Sequence, residues 1–323
     1  MNRTEIDALI KKNIGQITLI GGLLGLIPLL LMFMSLLSSE LLWNVFEWLS
    51  IAKPHVDFEF YTLGYLGNFY ALSNLGYLYL PIIFYGVMLA GYFSLKNGST
   101  IAYRLIRFSF SVIFISHLIG ILWMILGVFG EDYYYGFGLH WVLGLVFKIA
   151  WAYIAFTLLR SDIKPVDEFG SVSSESKNDL VEATKGQRFV HHLIDSIVFM
   201  GVCTSILVFY GDSFIGELDY KVGSTITYLI IGIIARLMYY PIFETLFGAT
   251  PGKFLTGSKV VKEDGSKITF DQSWIRTFSR IVPFEPFSFL GKDKGWHDAW
   301  SKTKVVITEE RQDFGSDDVI DDF

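Results

Sequence analysis

One cysteine in 323 residues, Cys203, excludes an intrachain disulfide framework and a thiolate metal site. Charge is scarce as well, at 18% charged against 52% hydrophobic, with a mean hydropathy of +0.45. Soluble domains carry about 25% charged residues, so two ordinary soluble domains are excluded. No Asp or Glu lies near the centre of any long apolar run. That lack counts against simple cation–proton exchange, which wants a carboxylate near the bilayer midplane to hold ion and proton in turn. No Ser or Cys stands in a recognisable nucleophile setting, and no spacing of His, Cys, Asp or Glu suits a metal. The sequence therefore predicts no enzyme, no catalytic residues, no metal and no cofactor.

What is present is apolar sequence in lengths that suit a bilayer. Six windows, near 15–37, 77–95, 105–128, 139–159, 190–210 and 224–247, match the roughly 20 helical residues needed to cross about 30 Å of hydrocarbon. The expected fold class is an all-α integral membrane protein with six transmembrane helices and a small cytoplasmic C-terminal portion. The first window is too long for a signal-peptide core and lacks a small-x-small cleavage site, so it is expected to stay. All but four of the 26 Lys and Arg fall before the first window, after the even-numbered ones, or at the inner edge of the third. Basic loops remain cytoplasmic, which predicts both termini inside. The net charge of −6 resides in the tail EERQDFGSDDVIDDF, a composition that predicts a solvated, disordered segment.

Four parts follow: a four-span module (1–165), a Ser-rich cytoplasmic linker (166–187), a two-span module with a cytoplasmic portion (188–308) and the acidic tail (309–323). The outer loop 38–76 is aromatic, and its ELLWNVFEWLS is expected to lie at the headgroup level. Near the C-terminus, KEDG between FLTGSKVV and SKITF is a tight-turn signal for a short β-hairpin. Asp271 is placed to cap a short helix, QSWIRTFSRI. Its apolar face, Trp274, Ile275, Phe278 and Ile281, predicts an interfacial helix whose Arg276 and Arg280 meet lipid headgroups.

The charged residues carry the sharper signal. RFVHHLID opens the fifth window with Arg188 at its mouth and Asp195 about 9 Å inside. A carboxylate there needs a partner within the protein. GATPGK, after the sixth window, has three residues between its glycines and Phe254 after Lys253, whereas a phosphate-cradling loop has four and then Ser or Thr. Nucleotide binding is excluded, and Thr250, Pro251, Gly252 and Lys253 are expected to form a surface turn. Asp298, in GWHDAW, is expected to pair with Arg276, Arg280 or Arg188.

Arg188, Asp195 and Asp298, with TPGK leading into a Val-rich stretch between them, resemble the RDD family of bacterial membrane proteins, named for such an Arg-Asp-Asp set. The likeness covers about residues 186–307; the first four windows resemble no known family. It implies a bacterial inner membrane. Family members have been associated with cation–proton exchange, with membrane protection and with scaffolding.

Three basic residues, His117, Lys148 and Arg236, lie about 18 Å inside their windows and so near the midplane. Glu244 lies closer to the inner end of the sixth window, past Pro241. Central positive groups without a central acid point to a non-enzymatic scaffold, accessory subunit or lipid-binding protein. Its expected partners are membrane lipids and a membrane protein, with no nucleic acid and no nucleotide. The alternative is a proton-coupled ion transporter using Asp195 and Glu244.

Overall fold

The computed structural model describes residues 3–33, 51–54, 56, 80–127, 139–160, 164–165, 180–210, 221, 223–282 and 294–309. Most of the aromatic outer loop, most of the linker, the Pro-rich segment after Val282 and nearly all of the acidic tail lie outside these residues. The chain divides into two units, Met1–Ser161 and a C-terminal one made chiefly of Asp162–Cys203 and Leu207–Arg311.

In the first unit, α1 (Arg3–Lys12) and α2 (Ile14–Phe33) meet at a 72° bend. They are followed by α3 (Leu80–Lys96), α4 (Ala102–Gly127) and α5 (Leu139–Leu159). Helix α2 packs on α3, α3 on α4, α4 on α5, and α1 on α5. Gly21 and Gly25, the close-packing face visible in the sequence, are where α2 meets its neighbours. A methyl at Gly25 would sit 2.1 Å from the Tyr85 ring, and one at Gly21 2.6 Å from Met88. The buried Tyr85 hydroxyl then donates to the Pro54 carbonyl at 2.5 Å. The bend turns α1 so that Asp7 accepts from the Tyr153 hydroxyl of α5 at 2.7 Å.

Among the described residues, Ala102–Leu122 and Leu139–Leu159 are long and apolar enough to cross a membrane, and the bent pair Arg3–Lys12 with Ile14–Leu30 makes a third. The shorter α3 is apolar too. Outward-facing Leu, Ile and Phe along these helices, such as Ile83, Leu122 and Val146, fit lipid as their surrounding.

The second unit pairs two long helices with a small α/β portion. Helix α6 (Lys185–Tyr210) and α7 (Ser224–Phe247) carry the fifth and sixth apolar windows. Helix α7 ends at Gly248, which adopts φ +72° and closes the helix with its N–H on the Glu244 carbonyl. After it come α8 (Pro251–Thr256), β2 (Ser258–Lys262), α9 (Phe270–Ser279), α10 (Trp296–Ser301) and β3 (Thr303–Glu309), with the two-residue β1 (Lys164–Pro165) ahead of α6.

Strand order is β1-β3-β2, and β2 runs antiparallel to β3 with Val260 opposite Val305. Alternation sends Val260 and Val305 to one face, with Ala183 and Ile268. It sends Val261 and Val306 to the other, with Leu180. The expected hairpin is half right. The KEDG turn forms, with Gly265 at φ +80° and Lys262 N–H on the Ser266 carbonyl, but its second arm is one bridge at Lys267. The true partner of β2 is β3. The end of the expected linker is not a spacer either. Ala183 N–H donates to the Val305 carbonyl, Ile307 N–H to that of Val181, and Leu180 is buried. Residues 180–183 thus line the outer edge of β3, a role their polar neighbours hide.

Candidate functional site

The charges of the second unit are gathered where α6, α7, α8, α9 and α10 converge. Asp195, on the inner side of α6, is 2% exposed. Three neutral donors satisfy it: the Tyr239 hydroxyl at 3.2 Å, the Thr250 hydroxyl at 2.6 Å and the Gly252 amide at 2.8 Å. The amide is one of the unpaired N–H groups at the start of α8, so Asp195 caps that helix from a different helix. Thr250, in extended conformation, and Pro251, at the first helical position, set α8 going. Gly252 lets it approach: a methyl there would lie 2.5 Å from the His191 carbonyl oxygen and 3.1 Å from the Asp195 carboxyl.

TPGK is consequently no surface turn. Thr250, Pro251, Gly252 and Lys253 are all buried. The backbone must press against α6 to bring its amide to Asp195, which a solvated turn would not do. Lys253 turns inward and donates to Glu244 at 3.1 Å and to the Thr250 hydroxyl at 3.3 Å. Burial lowers the Lys253 ammonium from the ordinary lysine range, with the Glu244 carboxylate opposing.

Glu244, one turn before the end of α7, accepts from three cations. Besides Lys253 these are Arg276 Nε at 3.0 Å and Arg280 Nη2 at 2.7 Å. Arg276 is 0% exposed. Its Nη1 also reaches Asp298 on α10 and the Thr303 hydroxyl of β3. Asp298 takes its second cation from Arg188 at the start of α6, whose Nε in turn holds the Ala183 carbonyl at 3.0 Å. Burial alone would raise the Asp298 carboxyl. His297, Arg276 and Arg188 together outweigh it and hold Asp298 well below the usual aspartate range.

These contacts form one chain: Arg188, Asp298, Arg276, Glu244, Lys253, Thr250, Asp195. The three signature residues stand at its two ends and next to one of them. Asp195 does find its partners inside the protein, but they are hydroxyls and an amide. Asp298 pairs with Arg276 and Arg188, as two of its three expected partners. Arg276 and Arg280 do not sit at headgroups, because the buried carboxylates Glu244 and Asp298 turn both inward.

Helix α9 differs from expectation in its arginines, which face the protein interior, while its apolar side is turned outward. Its buried face is Ser273, Arg276 and Thr277, while Phe270, Ile275 and Phe278 are exposed. Along the outer side the Phe270 ring meets Trp274 edge-on at 5.8 Å, and Trp274 meets Phe278 tilted at 5.5 Å. Its cap is Thr269 with Gln272 in a capping box, not Asp271.

The remaining intramembrane candidates are separate. His117 is buried in α4 with Nδ1 2.9 Å from the Ile113 carbonyl oxygen, a local helix bond. Lys148 on α5 lies along α4, its Nζ 3.0 Å from where a Gly120 methyl would be. Arg236 is half-buried on α7, its guanidinium 5.6 Å from the Tyr240 ring centroid, and Asp195 is not among its contacts. Sequence reasoning missed Tyr239, Tyr240, Thr303 and the bond between Ser258 and His191 Nε2, 3.0 Å long. Paired tyrosines in an apolar helix, each with a hydroxyl to satisfy, were the one signal available. Among the described residues no group of His, Cys, Asp and Glu is placed to hold a metal.

No curated protein and no solved structure matches the chain. A family model described as RDD family matches residues 183–302, which include Arg188, Asp195, TPGK and Asp298. The C-terminal part of this membrane protein is an RDD family domain.

Proposed function

We propose that the chain is a non-enzymatic, six-span protein of a bacterial inner membrane with both termini cytoplasmic. In this reading it serves as a scaffold or accessory subunit of a membrane complex and binds lipid. The observation that carries the reading is the closed state of the acids. An acid that loads and unloads an ion must exchange donors. Asp195 already accepts three hydrogen bonds, and Glu244 faces three cations. Such an arrangement fastens α6 to α8 and α7 to α9, and opening it would strand buried charge. This weighs against the transporter reading that uses Asp195 and Glu244.

The outward aromatic ladder of α9 supports a lipid or protein surface as its neighbour, since among the described residues Phe270 and Phe278 are exposed while the arginines are buried. The test is purification of the full chain from membranes in mild detergent. The reading expects a co-purifying protein or tightly held lipid. A lone monomer that retains neither contradicts it.

A further inference from the structure

Side chains on a helix lean toward its N-terminus. By that lean the Tyr240 ring lies back toward Arg236, whose guanidinium is 5.6 Å from the ring centroid. That same ring carries a second guanidinium, Arg280, whose central carbon lies 4.2 Å from the centroid. Two guanidiniums thus share one buried ring. Among the described residues the cluster and Arg236 beside it hold five cations, Arg188, Arg236, Lys253, Arg276 and Arg280, against four carboxylates, the buried Asp195, Glu244 and Asp298 and the exposed Glu182 on Arg188. Arg236 Nε and Arg276 Nη2 are buried and make no hydrogen bond within the described residues. In low dielectric, like charges do not converge without an anion between them, and buried N–H donors do not stay empty.

We propose that Arg236, beside Tyr240 and Arg280, is the primary contact of a phosphate-binding site on α7 one turn ahead of where the arginines of the α9 segment reach that helix at Tyr240 and Glu244, a packing that sets Arg236 nearer the inner surface than its place in the apolar window predicts. A guanidinium fork matches two phosphate oxygens, which a lysine cannot do. Ile234 and Met238, next to Arg236 on the same helix, are both exposed and give acyl chains an apolar wall. An anionic phospholipid headgroup and free phosphate share the chemistry. The site rests on the six-span reading above, because it needs the outer face of α7 in lipid.

The full chain, purified in mild detergent and stripped of lipid stepwise, is examined by native mass spectrometry after incubation with phosphatidylglycerol or phosphatidylcholine. Phosphatidylglycerol is expected to be retained and phosphatidylcholine lost, with retention about tenfold weaker in Arg236→Gln and intermediate in Arg236→Lys. Inorganic phosphate that raises the unfolding temperature in an Arg236-dependent way identifies the free anion as a ligand. Arg236→Gln retaining phosphatidylglycerol like the parent, with no phosphate response in either, overturns the site. Should Arg236→Gln fail to fold, equal retention by Arg236→Lys and the parent overturns it instead. Ile234→Cys in a Cys203→Ser background, treated with a water-soluble maleimide in membranes, reads the spanning model separately. Labelling there refutes the span whatever the lipid result.

Discussion

Arg188 and Asp298, 110 positions apart in the sequence, share a buried ion pair that ties the first turn of α6 to α10. The second oxygen of Asp298 belongs to Arg276, which also holds Glu244. The RDD signature is in this sense one structure, a line of charge joining two long helices to the α/β portion beside them. Each prediction below breaks or spares that line at a stated point.

Arg276→Leu removes the only residue that contacts both Glu244 and Asp298 among the described contacts. Two carboxylates then lose a buried partner, and the variant is expected to lose about 3–5 kcal/mol of stability. Thermal unfolding in detergent, followed by helix circular dichroism, measures it. Lys294→Ala, which removes an exposed pair with Glu263, is expected to leave the unfolding temperature unchanged.

Gly252→Ala places a methyl 2.5 Å from the His191 carbonyl and pushes α8 off α6. It is expected to cost about 1–3 kcal/mol through overpacking. Gly232→Ala, inside α7 with nothing within 4 Å of the added carbon, should be neutral or slightly stabilising because alanine is the better helix former. The pair of unfolding temperatures separates close approach from helix propensity.

The acid limb of stability follows from Asp298. Its folded carboxyl titrates below the usual aspartate range, so its ionised form contributes stability above the unfolded value of about 4. That contribution shrinks as pH falls below about 4 and is gone only once the folded carboxyl protonates. Asp298→Asn is expected to be less stable at neutral pH and to lose less on acidification. Unfolding temperatures of both proteins between pH 7 and pH 3 give the comparison.

The sequence revealed the helices but not which way their polar residues face. Over their described residues the six apolar windows are helical, because lipid-length hydrophobicity is a local property read residue by residue. Arg188 and Asp195 were visible as residues in need of partners, since a charge inside an apolar run has few places to go. TPGK and the arginines of α9 misled for a common reason. A lysine or arginine beside an apolar helix ordinarily seeks water or phosphate. Here the deciding partners, Glu244 and Asp298, lie on other elements, up to 36 positions from Lys253, Arg276 and Arg280. Long-range pairing of that kind leaves no periodic trace. The outer edge of β3 was missed likewise, because residues 180–183 contribute two backbone bonds and little apolar pattern.

Phe278→Ser tests the outward ladder of α9. The side chain is 55% exposed and makes its ring contact on the outer side. Its replacement should leave the unfolding temperature within about 0.5 kcal/mol of the parent. Retention of lipid or of the co-purifying partner should fall. Equal retention would remove α9 from the interface.

The most direct trial of the network as a fastening, and not an ion path, combines two readings on Asp195→Asn and Glu244→Gln. Each variant is reconstituted in proteoliposomes for proton-coupled flux, and its unfolding temperature is taken in the same preparation. A clear fall in unfolding temperature, with no flux in the parent protein for either substitution to abolish, is the predicted result. Flux in the parent protein that vanishes in Asp195→Asn while the unfolding temperature stays at the parent value would contradict it.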